Sequence, residues 1–299
     1  MATDDLRLRD ASAVLDKAAH ENFPVAPFFL PRAWREELMA VYGVVRLIDD
    51  IGDGDLDPGA GHARCLGVDP ADARDPLRML DAVEADLGAV FEGGVAGHPL
   101  VRALGPAAER GVLTPGPFLD LIAANRQDQH VSRYETYDDL VAYCALSANP
   151  IGRLVLAITG TETPERLRRS DAVCTGLQIV EHIQDIAEDL RRDRIYLPIE
   201  DMSLFHVSEA DLAAPTAGAS VRALVAYETE RARGLLNEGT PLVGSVHGRL
   251  KLLLAGFVAG GRAAVQAISA AGHDVLPGPP KPTRPRLLRE AGAVLRGEG

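Results

Sequence analysis

The chain has 299 residues, 46% hydrophobic and 25% charged, an ordinary balance for a globular protein able to bury a sizeable core. Its net charge of −12 argues against a nucleic-acid partner, because no broad basic surface is implied. Cys65, Cys144 and Cys174 are scattered and form no CxxC pair, which predicts a reducing cytoplasm without disulfides or a zinc site.

Taken in chain order, the pattern is helical nearly throughout. The opening Met1-Ala2-Thr3-Asp4-Asp5 is acidic and has no apolar run, so a signal peptide is not expected there. Pro31 opens an apolar-periodic segment running past Trp34, Leu38, Val41 and Val45 to Asp53. Residues 54–76 are rich in Gly, Asp and Pro and read as a loop. Helices are predicted over 77–91, over 99–111, and from a Thr114 cap through Asp128. Thr136 caps a segment reaching about Ile158, with a kink or break expected near Asn149 because Pro150 lacks a backbone donor. A long helix is predicted from Pro164 to about Asp189, then helices over 220–237 and 244–271. Residues 277–285 read as a Pro-rich linker before a last short basic helix, 286–296. No strand signal, nucleotide-binding phosphate loop or repeat emerges. No uncharged apolar run reaches the ~18 residues of a membrane span. The expectation is one all-α domain over 1–276 with a linker and tail over 277–299.

Two aspartate couples stand out. Asp49 and Asp53 lie in Arg46-Leu47-Ile48-Asp49-Asp50-Ile51-Gly52-Asp53, and Asp185 and Asp189 in Gln184-Asp185-Ile186-Ala187-Glu188-Asp189. Spacing of i, i+4 stacks both carboxylates of a couple on one helix face, where like charges cost roughly 0.2–0.5 kcal/mol. Keeping two such couples among apolar residues points to a cation between them. Mg²⁺, held by a few carboxylates plus substrate phosphates, suits that chemistry. A calcium loop is excluded, because Pro58 and Arg64 stand where the EF-hand pattern needs Gly and Glu. A di-iron bundle is excluded because Glu181-His182 lacks the Glu-x-x-His spacing.

Weaker signals surround the couples. Arg46 lies one turn before Asp49 and Asp50, placed to orient a metal-binding carboxylate, to reach a phosphate, or to form an ordinary exposed ion pair. Arg191-Arg192-Asp193-Arg194-Ile195-Tyr196-Leu197-Pro198 sets basic groups just past the second couple, as helix-end cations or as a diphosphate clamp. Asn125-Arg126-Gln127-Asp128 is a polar patch near a helix end. Ser147-Ala148-Asn149-Pro150-Ile151-Gly152 suggests either a packing kink or close approach of a ligand to backbone.

These motifs together resemble the squalene/phytoene synthase family of head-to-head prenyl synthases over nearly the whole chain. The resemblance rests on residues 42–53, on Leu177-Gln178 through Asp189, and on Asp193-Arg194-Ile195-Tyr196-Leu197-Pro198. Glu21-Asn22-Phe23-Pro24-Val25-Ala26 and residues 147–152 look like the bacterial hydroxysqualene synthase branch. Relatives often carry Phe where this chain has Val44, and an Asn-Phe pair where it has Glu181-His182. The first motif is followed by Gly54 rather than a further acid.

The resemblance implies an isoprenoid-synthase helical bundle with a central cavity and a Mg²⁺-dependent ionisation of a prenyl diphosphate. It implies conversion of presqualene diphosphate to hydroxysqualene, or else condensation of two farnesyl diphosphates. It places Asp49, Asp50, Asp53, Asp185 and Asp189 at metal. Tyr42, Arg46, Asn149, Gln178, Arg194 and Tyr196 become catalytic residues, with Asn149 positioning a late water. Phe23, Phe28, Arg126, Asp128 and His182 become substrate contacts, with Leu154 a further wall residue. Expected partners are sister enzymes of the squalene route; the basic tail (Lys281, Arg284, Arg286, Arg289 and Arg296) is either a solvated helix docked on the bundle or a contact to a membrane surface. The reading from another class is a non-catalytic helical module whose acids bind a basic partner.

Overall fold

The computed structural model describes residues 14–19, 25–56 and 61–297. Phe23, with the rest of Glu21–Pro24, lies outside the described residues. The described chain is helical, with no strand, and its one β-bridge joins Arg133 to Ile195. It divides into two compact units, residues 1–130 with 153–162, and residues 131–152 with 163–299.

In the first unit, a 3-10 turn (Lys17–Ala19) precedes α1 (Arg32–Gly52), α2 (His62–Cys65), α3 (Pro76–Phe91), α4 (Pro99–Arg102), α5 (Gly105–Glu109) and α6 (Gly116–Gln127). Val44, Leu47, Ile48 and Ile51 recur at helical spacing on α1 and are buried. They belong to a core with Leu80, Val83 and Leu87 of α3 and Phe118, Leu121 and Ile122 of α6. Each such side chain contributes roughly 1.5–3 kcal/mol on burial. Asp75 caps α3 by accepting from the backbone N–H groups of Leu77 and Arg78.

The second unit contains α7 (Tyr137–Ser147) and the start of α8 (Asn149–Ile158), whose remainder belongs to the first unit. It continues with α9 (Pro164–Gln184), α10 (Ile186–Arg191), α11 (Ile199–Leu204), α12 (Glu209–Leu212), α13 (Ala219–Gly239), α14 (Pro241–Gly244), α15 (Gly248–Ala270) and α16 (Arg284–Arg296). The most extensive helix contact joins α9 and α13. Glycine permits it: a Cβ on Gly239 would lie 2.4 Å from Val173 Cγ2 and 2.6 Å from the Arg169 carbonyl oxygen.

Several boundaries differ from the sequence expectations. The 54–76 segment contains α2. The helix expected over 99–111 is two short ones, because Pro106 has no N–H to continue a ladder. Thr114 does not cap α6, whose N-cap is Pro115 without a side-chain bond. Thr136 does cap α7, in a capping box with Asp139. The break before Pro150 falls at Ala148. The long helix predicted to Asp189 is interrupted at Asp185, which ends α9 and precedes α10. Two stretches, Tyr137–Ile158 and Gly248–Ala270, are long and apolar enough to cross a membrane, but 50% and 67% of their apolar windows are buried in the protein. The terminal helix α16 packs on α15 and buries Glu290 and Val294.

Candidate active site

The first aspartate couple sits where α1 ends in the first unit. The Asp53 N–H donates to the Asp49 carbonyl oxygen at 2.9 Å, so the i, i+4 register holds to the last turn. Asp49 is half-buried and Asp53 exposed. Burial pushes the Asp49 carboxyl up to about 7; a hydrogen bond from Asn125 opposes the shift, and the charge on Asp53 adds to it. Asn125 Nδ2 donates to Asp49 Oδ1 at 3.3 Å. Gln129 Nε2 donates to the Gly52 carbonyl oxygen at 2.9 Å. Gly52 is required for this approach, because a Cβ there would lie 1.9 Å from Asn125 Oδ1.

Asp50 does something different from its neighbour. It is 1% exposed. Lys17 Nζ lies 2.7 Å from its Oδ2, and Arg46 Nε 2.8 Å from its Oδ1. Its carbonyl oxygen accepts from the N–H groups of Asp55 and Leu56. Asp50 was expected among the metal ligands; with both carboxylate oxygens ion-paired, it instead anchors the end of α1. Arg46 is thus in an i, i+4 ion pair with Asp50, its own side chain 30% exposed. Arg126, expected to reach substrate, pairs with Asp81 at 2.5 Å and Glu84 at 2.6 Å on α3. Asp128 caps the end of α6 and is half-buried. Tyr42 is half-buried on α1. Phe28, expected in an apolar wall, is 89% exposed, its ring edge against Phe29. Leu154, expected in the same wall, is fully buried.

The second couple sits at the α9–α10 break in the second unit. The Asp189 N–H donates to the Asp185 carbonyl oxygen at 2.8 Å, preserving the i, i+4 relation through the break. Both carboxyls are raised by burial. For Asp189 the shift reaches about 7, with the charge on Asp185 adding to it and Arg194 opposing it. Asp189 Oδ2 is buried and meets no hydrogen-bond donor. The Arg194 N–H donates to the Asp189 carbonyl oxygen at 2.9 Å. Arg133 fixes the loop between them: it donates to the Asp193 carbonyl oxygen and carboxylate and to both oxygens of Glu209.

Beside this couple lies a block of rings. His182 and Tyr196 stack at 3.7 Å and 12°, with Tyr143 and Tyr134 continuing the cluster. Gln178 Nε2 is 3.3 Å from His182 Nε2. Burial pushes His182 down to about 3, so the ring is neutral. Asn149 is buried after the Ala148 break, its Oδ1 accepting from the Thr175 hydroxyl at 3.0 Å.

The donor sets fit a hard divalent cation. Each couple offers carboxylate oxygens under mutual repulsion, and Asp189 keeps a buried oxygen unsatisfied. Among the described residues no group of three or more His, Cys, Asp or Glu side chains is assembled into a metal site. A pair of carboxylates completed by substrate phosphates needs none.

Comparison with known proteins decides the family. The squalene/phytoene synthase profile matches residues 17–289. The chain belongs to the squalene/phytoene synthase family. The hydroxysqualene synthase of Rhodopseudomonas palustris is 34% identical, covering 76% of this chain and 71% of its own length. The phytoene synthase of Arthrospira platensis is 31% identical over 71% of this chain and 68% of its own. Among solved structures, the squalene synthase HpnC from Alicyclobacillus acidocaldarius superposes with a TM-score of 0.76 at 39% identity, covering 88% of this chain and 94% of that one. The fold is therefore that of the isoprenoid synthases. Family members are prenyl-transferring enzymes that act on prenyl diphosphates and generally use a divalent metal.

The sequence reading missed Lys17, Gln129, Arg133 and Thr175. Only Asn125 left a trace, in the polar patch before Asp128. The others are brought in by tertiary packing from positions with no motif.

Proposed function

We propose that this chain converts presqualene diphosphate to hydroxysqualene. The observation that carries this reading is the two i, i+4 aspartate couples, in a chain 34% identical to a hydroxysqualene synthase. Asp49 with Asp53, and Asp185 with Asp189, would hold Mg²⁺, which when bound neutralises charge developing on the departing diphosphate. Asp50 leaves the ligand set and fixes the geometry of the first couple through Lys17 and Arg46. Arg194, beside Asp189, adds charge-assisted hydrogen bonds to the leaving group. The carbon–oxygen bond to diphosphate breaks and its electron pair leaves with the diphosphate. The rearranged cation then forms a bond to a water oxygen, and one proton passes to solvent. Ring faces at Tyr196, Tyr143 and Tyr134 stabilise a neighbouring cation. A neutral His182 adds no competing positive charge. Asn149, held by Thr175, presents its amide to orient the water.

Purified protein incubated with presqualene diphosphate and Mg²⁺ should give hydroxysqualene by mass spectrometry, and a chelator should stop it. A second reading, condensation of two farnesyl diphosphates, is supported by the 31% identity to a phytoene synthase. Product from farnesyl diphosphate alone would establish that reading in place of the first. Under the first reading, the route calls for a sister enzyme supplying presqualene diphosphate and a flavoprotein removing the hydroxyl. We place the enzyme in the cytoplasm, with the basic tail and the exposed Leu288 against the membrane that receives a C30 product. Equal vesicle flotation of full-length and tail-deleted protein would exclude that contact.

A further inference from the structure

Away from both acidic motifs, the second unit holds a pocket of about 190 Å³. It is lined by Arg233 and Asn237 of α13, Arg262, Val265 and Gln266 of α15, and Glu290 of α16. That volume exceeds the ~30 Å³ share of one liquid water several-fold. Two guanidinium groups from neighbouring helices meet one carboxylate there. Arg233 Nε is buried with no acceptor, while Nη2 of the same side chain lies 3.1 Å from Glu230 Oε1. Arg262 Nη2 donates to Asn237 Oδ1 at 2.8 Å and Thr240 Oγ1 at 3.0 Å. Burial lowers the Arg262 pKa, and the charge on Glu290 opposes that shift. Glu290 is itself buried, its Oε1 accepting from Gln266 Nε2 at 2.6 Å. Glu230 pairs with Arg233, and Arg289 Nη2 lies 3.6 Å from Glu290 Oε1, so three guanidinium groups stand against two carboxylates around the pocket, with the amides of Asn237 and Gln266 beside it.

We propose that this pocket binds an oxyanion of the phosphate class, either a free phosphate or diphosphate or the phosphate of a lipid headgroup, between Arg233 and Arg262. Guanidinium forks match phosphate oxygens, and a partly enclosed site strengthens the pairing. Glu290, delivered by the last helix, supplies the negative charge that such a ligand would supplement.

The test is calorimetry on the full chain with inorganic phosphate and diphosphate in excess chelator, which suppresses metal-dependent binding at the aspartate couples. We expect one saturable site, weakened at least about tenfold by Arg233→Gln or Arg262→Gln, untouched by Asp49→Asn or Asp185→Asn, and tightened by Glu290→Gln. Should Arg262→Gln fail to fold, Arg233→Gln carries the test, because that side chain is 37% exposed. Flotation with phosphatidylglycerol vesicles separates the sources. Flotation lost in Arg233→Gln assigns the headgroup, and saturable binding of the free anions without flotation assigns those. No saturable binding to any probe, or binding indifferent to Arg233→Gln, overturns the proposal.

Discussion

The two acidic motifs carry the same residue pattern, yet the fold treats them differently. The first ends a continuous helix and is braced: Asn125 donates to Asp49, and Lys17 and Arg46 tie down Asp50. The second straddles a helix break and is left unsatisfied, with Asp189 Oδ2 buried and without a donor. A stretch of sequence that reads as one more acidic turn can therefore be braced by donors or left with a buried carboxylate oxygen that has none. What separates them is the donors that packing brings from elsewhere in the chain, not the spacing.

The harshest test removes one member of each couple. Asp49→Ala and Asp185→Ala should each lower turnover of the prenyl diphosphate by at least ~10²-fold, the scale for losing an electrostatic stabiliser of a transition state. Circular dichroism should remain helical in both. Retained turnover in either variant removes that couple from the site.

A finer cut falls inside the first motif. Asp50→Ala strands Lys17 and Arg46, and should cost about 1–3 kcal/mol in urea unfolding, the scale for leaving buried polar groups unmatched. Both cations are partly exposed and can turn to solvent, which keeps the loss below that of a fully buried pair. Asp53→Ala, at an exposed position, should change stability by no more than the roughly 0.5 kcal/mol of relieved repulsion with Asp49 and should reduce activity. Stability losses of equal size in the two variants would erase the distinction between brace and ligand. Gly52→Ala probes the same brace from the backbone side. The new Cβ must displace Asn125, at a cost of about 1–3 kcal/mol. Since Asn125 holds Asp49, activity should fall with it.

The helices were legible because apolar residues recur at 3.6-residue spacing, and the Thr136 cap because a capping box is local chemistry. The aspartate couples were legible because i, i+4 repulsion on an apolar face needs a reason. Asp50 was misread because spacing alone does not separate adjacent carboxylates 100° apart on a helix. Its partner Lys17 lies 33 residues away, on a turn that no pattern announces. Arg126 was misread likewise: its partners Asp81 and Glu84 are ordinary surface acids until α3 is packed beside α6. The break at Asp185 has no proline or glycine to signal it.

The smallest effect is a pH dependence to which a buried histidine contributes in each unit, His98 in the first and His182 in the second. His98 in the first unit caps α4, accepting from the Leu100 N–H at 3.2 Å, and its other ring nitrogen lies 3.0 Å from His62. Burial pushes His98 down to about 3, with His62 and Arg102 adding to the shift, and burial alone does the same to His182 in the second unit. A histidine depressed in the fold binds a proton in the unfolded chain first. Its stabilising contribution is full above the unfolded value of ~6.5 and is lost as pH falls toward 3, at about 1 kcal/mol per pH unit. Asp49 and Asp189, raised to about 7, act in the opposite sense: acidification through that range favours the fold. Wild-type stability alone therefore mixes the two trends. Comparison with His98→Asn separates them, since asparagine preserves the cap without titrating. The stability advantage of wild type over that variant should shrink by about 1 kcal/mol between pH 6.5 and 5.5. His182→Gln should show the same shrinkage. An advantage that is constant with pH in one variant and shrinking in the other would mean that only one unit buries its histidine in neutral form.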